Sequence, residues 1–151
     1  MKVEDNARLW IGTKFQHQGR KRGIGCDCVG LILGIASELN IRAKSGSLLA
    51  EYDYQYYKNL YIEFDLFKAL RQHMVAIATP KIGCVVAVKA KFSYHLGIIC
   101  SYRIFQYSDV TYEDHFSIIH ACMKAGCVVE HRFIEDMFSN CEIKYFSFFD
   151  I

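Results

Sequence analysis

An α+β fold, with helices leading and an antiparallel sheet following, is what this sequence predicts from three observations. A polar, glycine-punctuated loop gives way at Cys28 to the apolar run Leu31–Ala36, the mark of a central helix. A second helical periodicity follows over 63–77. Beyond Pro80, the single proline, five short segments rich in β-branched and aromatic residues are separated by hairpin-length connections. Helices first and a meandering sheet second define the class. With 151 residues, 52% of them apolar, the chain suffices for one domain spanning 1–151.

Taken in order, Val3, Ala7, Leu9, Trp10 and Ile11 fit a short amphipathic helix over 3–11, stopped at Gly12-Thr13, with Glu4, Asp5 and Arg8 toward water. Residues 14–25, with the basic run Arg20-Lys21-Arg22, read as a loop. A helix over 28–39, apolar nearly all round, should be buried. From 40 to 60 an irregular surface excursion carries Tyr52, Tyr54, Tyr56 and Tyr57, with Tyr61 just beyond. Phe67, Leu70, Met74 and Ile77 form the apolar stripe of the next helix, over 63–77. Strands are expected at 84–89, 94–102, 116–122, 127–133 and 143–149.

Composition narrows the function. A net charge of +2 with scattered basic residues argues against nucleic acid as a partner. No apolar run approaches the roughly 20 residues of a membrane helix. Met1–Asn6 lacks the basic and apolar regions of a signal peptide, so synthesis in the cytoplasm is expected, with release or a carrier particle needed for action outside. Seven cysteines, an odd number mostly within apolar segments, read as reduced core residues. Neither a phosphate-cradling glycine loop nor zinc-ligand spacing occurs, so no cofactor and no metal are expected.

Cys28 stands apart from the other thiols. At the head of a helix it meets unsatisfied backbone N–H groups and the positive end of the helix dipole, both of which favour thiolate. A cysteine nucleophile needs a base. His95 opens the strand 94–102, where Gly97 shares its face and leaves room beside the ring. His120 lies within the next long strand, among Ile118, Ile119 and Ala121. Histidines on neighbouring strands can form a Cys-His-His relay in which the second fixes the tautomer of the first. By contrast His17 sits in the loop, His73 on a helix, and His115 and His131 read as solvent-facing.

The passages Ala7–Thr13, Phe15-Gln16-His17-Gln18-Gly19 and Gly25-Cys26-Asp27-Cys28-Val29-Gly30-Leu31 resemble the NlpC-type cysteine peptidases, papain-like cell-wall hydrolases, and in particular their phage and gene-transfer-agent branch. The family's D-C-x-G-L motif is met by Asp27, Cys28, Gly30 and Leu31, its histidine motif by His95-Leu96-Gly97-Ile98, and its third polar residue by His120. Three departures stand out: Phe15 where tyrosine is common, Val29 where serine is common, and Gly83-Cys84 where glycine-aspartate often opens the first strand.

The resemblance implies a papain-like fold and hydrolysis of an amide in the peptidoglycan stem peptide, typically between γ-D-glutamate and the diamino acid, through a thioester. It implies Cys28, His95 and His120 as the catalytic residues, and Asp27, Phe15 and His17 as substrate-binding, with Asp27 facing the substrate's free amine. Phage tail proteins become possible partners; the oligomeric state stays open. An amidase or acyltransferase using the same trio, or a degenerate structural tail component, are the alternatives. Arg20-Lys21-Arg22 and the tyrosines read as a solvated loop and as packing rather than as a substrate groove.

Overall fold

The computed structural model describes residues 1–52, 65–103 and 114–149. Its class is α+β: the described residues form three α-helices and a six-stranded antiparallel sheet. Helix α1 spans Val3–Leu9, and a two-stranded ribbon, β1 (Arg20–Lys21) with β2 (Gly25–Cys26), precedes α2 (Cys28–Glu38). After a 3-10 turn at Leu49–Glu51 come α3 (Leu66–His73), β3 (Val75–Ile77), β4 (Val85–Lys89), β5 (Tyr94–Arg103), β6 (Asp114–Cys122), β7 (Cys127–Arg132) and β8 (Glu142–Ser147). The sheet runs in the order β3-β8-β4-β5-β6-β7. β4 to β7 form the expected meander, and β8 returns to the free side of β4.

Every residue of α2 from Cys28 to Ala36 is buried. Asp27 starts the helix as its N-cap, its Oδ1 accepting from the Gly30 N–H at 2.7 Å. Two glycines let α2 sit close to its neighbours. A methyl group on Gly30 would run into the Gly19 carbonyl oxygen, and one on Gly34 into the Trp10 ring. Trp10, Leu31, Ile35, Leu96, Ile98, Ile119 and Phe146 belong to the core on this helix-bearing side. The alternate residues Val86, Val88, Ile99, Ile118 and Tyr145 pack with Phe133 in a second core on the opposite face.

Three expectations are corrected. The loop over 14–25 contains the β1–β2 ribbon, in register Arg20 to Cys26 and Lys21 to Gly25. The helix expected to reach residue 77 stops at His73, because Val75, Ala76 and Ile77 hydrogen-bond as an edge strand to Ser147, Phe146 and Tyr145. Its start is fixed by Asp65, which accepts from the Lys68 N–H at 3.0 Å. The first helix is likewise shorter, ending at Leu9, and Arg8 turns from water to the Ser101 carbonyl (2.8 Å) and Glu130 (3.1 Å). Tyr54, Tyr56, Tyr57, Tyr61 and the expected helix start at Glu63 lie outside the described residues. Among the described residues no helix is long and apolar enough to cross a membrane.

Candidate active site

Cys28 is the first residue of α2 and is 7% exposed. The nearby backbone N–H groups of Leu96, Val29 and Cys28 itself draw its pKa down. Burial opposes them, followed by the negative charge of Asp27, and together these push the thiol up to about 12. The expectation of a thiolate at the helix terminus is therefore reversed in the resting protein. Desolvation outweighs the donors.

His95 and His120 are brought together. His95 Nε2 lies 2.6 Å from His120 Nδ1, with the rings edge-to-face at 4.8 Å and 82°. Burial, then the neighbouring His131, lowers His95 to about 4. Burial, then His95 and His131, lowers His120 to about 3. Near neutral pH the resting site thus holds an uncharged thiol and uncharged imidazoles. With His95 Nε2 engaged by His120, Nδ1 is the other nitrogen of that ring.

Thiol and imidazoles come from opposite faces of the sheet. Alternation puts His95 and Gly97 with Ile99, and His120 with Ile118, on the second-core face, whereas α2 covers the other. The room expected beside His95 at Gly97 is taken by Ile118, whose side chain a Cβ there would meet. Pairing of β5 with β6 runs from Arg103–Asp114 to Ile98–Ile119, while β6 continues against β7 to Cys122–Cys127. Leu96 lies just past the last β5–β6 pair, and its backbone N–H is one of the groups that lower the Cys28 thiol. The end of that pairing is where the helix terminus reaches the strand carrying His95.

A third histidine belongs to the cluster. His131, expected to face solvent, is half-buried, its Nε2 2.7 Å from His120 Nε2 and its Nδ1 3.0 Å from the Arg132 carbonyl oxygen. The hairpin contained the signal: a turn joining Cys122 to Cys127 sets His120 opposite Val129 and His131 opposite Ile118, all on one face.

The remaining candidates are positioned differently. Asp27 is 4% exposed, and both carboxylate oxygens accept backbone N–H groups, Oδ1 from Gly30 and Oδ2 from Gln18, each at 2.7 Å. It is a structural cap for helix α2. His17 is exposed, with Nδ1 4.0 Å from Asp27 Oδ2. Phe15 is half-buried, bridged to Cys26 and packed against the helix-side core. Arg22 pairs with Glu38 at 3.0 Å, and Arg20 reaches the Ala50 carbonyl at 3.4 Å, so both tie the ribbon to the body of the protein. Cys26 is fully buried in β2, and its thiol is pushed up to about 12 by burial and by Asp27.

Among the described residues no group of three or more His, Cys, Asp or Glu is arranged to hold a metal ion. Compared with known proteins, the chain matches no family model, no curated protein and no solved structure. Its chemistry has to be read from its own geometry: a thiol at a helix head, backbone N–H groups around the sulfur, and a histidine pair one residue from the nearest of them. A thiol and imidazoles are the groups that cysteine-nucleophile chemistry uses, and N–H groups at a helix head are donors suited to negative charge on a reacting carbonyl.

Proposed function

We propose that this protein is a papain-like cysteine peptidase of the NlpC type that cleaves an amide in peptidoglycan stem peptides, carried by a phage or a related particle. The observation that carries the reading is the His95 ring bonded to His120 at 2.6 Å, with Cys28 placed at the head of the buried helix α2. The motif at Asp27, Cys28, Gly30 and Leu31 supports the substrate class.

Because thiol and imidazole rest uncharged, His95 acts as a general base during attack rather than as the partner of a preformed ion pair. The Cys28 proton moves to His95 as sulfur bonds to the carbonyl carbon. The oxyanion is met by the Cys28 backbone N–H, one of the donors an α-helix leaves free at its start. His95 then hands the proton to the leaving amine, and a thioester remains. Water, deprotonated by His95, attacks the thioester, and the proton returns to sulfur as the acid departs. His120 holds the His95 ring in orientation throughout.

A γ-D-glutamyl peptide bearing an electrophilic ketone tests the assignment by mass mapping. The adduct is expected on Cys28 and lost in His95→Ala. An adduct on half-buried Cys122, Cys127 or Cys141 instead, or one on Cys28 that forms as fast without His95, contradicts it.

A further inference from the structure

The three imidazoles end on a group whose role in a hydrogen bond is fixed. A backbone carbonyl only accepts, so the 3.0 Å contact with the Arg132 oxygen requires the proton of His131 on Nδ1. In the neutral ring Nε2 is then an acceptor, and the 2.7 Å contact requires His120 to donate from its own Nε2. That leaves His120 Nδ1 as an acceptor, so His95 must donate from Nε2 across 2.6 Å. The only lone pair left over is on His95 Nδ1.

We propose that His131 is a positioning residue that, through His120, dictates the tautomer of His95 and keeps Nδ1 unprotonated for the thiol. The proposal rests on His95 serving as the base for Cys28 and extends it to a ring outside the trio. Each link has one polarity only. A ring at position 131 that donated from Nε2 would reverse every link, place the proton on His95 Nδ1 and remove the base. Edge-to-face packing at 82° and 85° holds the rings so that nitrogen meets nitrogen at both joints.

Two measurements test it on the intact protein. Nitrogen-15 NMR of the imidazoles at neutral pH is expected to show N–H on Nε2 of His95, on Nε2 of His120 and on Nδ1 of His131. This readout does not depend on hydrolysis, so a protein inert toward cell wall yet showing this pattern would refute the peptidase reading and leave the relay standing. A His95 protonated on Nδ1 overturns the relay whatever the activity. The second measurement compares His131→Gln, whose amide oxygen can accept, with His131→Lys, which can only donate, by the rate of adduct formation on Cys28. Gln is expected to stay near wild type and Lys to fall about 10²-fold, the lower end of a general-base contribution. Equal losses in two variants with wild-type circular dichroism would reduce His131 to packing and overturn the proposal.

Discussion

Replacing Asp27 with alanine removes two charge-assisted hydrogen bonds, the buried 2.7 Å contact from the Gly30 N–H and the partly buried 2.7 Å contact from the Gln18 N–H. The loss of the helix cap is worth about 1 kcal/mol. The second bond, made to a carboxylate and broken so as to leave a donor unsatisfied, adds about 1.5–3 kcal/mol. A cost of about 2–4 kcal/mol is therefore expected, a large share of the 5–15 kcal/mol typical of a folded domain. Urea unfolding followed by the fluorescence of Trp10, which packs against Gly34 of the capped helix, measures it. Asp27→Asn keeps one acceptor oxygen but turns an NH2 group toward the other donor, so its cost should be intermediate. Asn also removes the negative charge that raises the Cys28 thiol, so that thiol should titrate lower, read from the pH dependence of its alkylation. A stability loss below about 0.5 kcal/mol, the range of ordinary surface substitutions, would refute the structural role of Asp27. A Cys28 titration that stays put or moves upward in Asp27→Asn would refute the electrostatic one.

Other expectations concern the core and the histidines. Trp10→Ala, at a site 1% exposed, should cost about 3–5 kcal/mol in the same unfolding assay. Gly30→Ala, which sets a methyl against the rigid Gly19 carbonyl, should cost about 1–3 kcal/mol and slow adduct formation on Cys28; a neutral effect would contradict the close approach of ribbon and helix. Stability should also fall with acid. His95 and His120 have folded values of about 4 and about 3 against an ordinary 6.5, so below pH 6.5 the unfolded chain binds protons that the fold refuses. Because the two rings are bonded to each other, they act as one unit, which should remove on the order of 3 kcal/mol down to about pH 4, at about 1.4 kcal/mol per pH unit. Urea midpoints measured from pH 7 to pH 4 check this, and the slope should shrink in His120→Asn.

Local signals carried much of this architecture, and non-local ones carried the rest. The Asp27 cap and the apolar run behind it sit within ten residues of sequence, so α2 was legible with its N-terminus in place. Edge strand β3 was hidden because Met74 and Ile77 continue a helical spacing that only pairing with Tyr145–Ser147, some 70 residues away, overrides. Two-residue strands such as β1 and β2 are too short to show alternation. In the candidate site, Cys28 stands out by its place at a helix head, and His95 and His120 by their strands together with the family resemblance. The third imidazole was missed because exposure was judged from the residue alone, although the register of a short hairpin sets His131 beside His120. The resting charge of the thiol was misjudged for a similar reason: sequence reveals a helix terminus but not how deeply it lies beneath its neighbours.

Mass spectrometry of muropeptides after incubation with purified protein is the most direct test of the central claim, because it reports activity and the bond cleaved together. Wild type is expected to split the amide between γ-D-glutamate and the diamino acid, and Cys28→Ala to leave the same muropeptides whole. Intact muropeptides with wild type, or equal cleavage by Cys28→Ala, would contradict it.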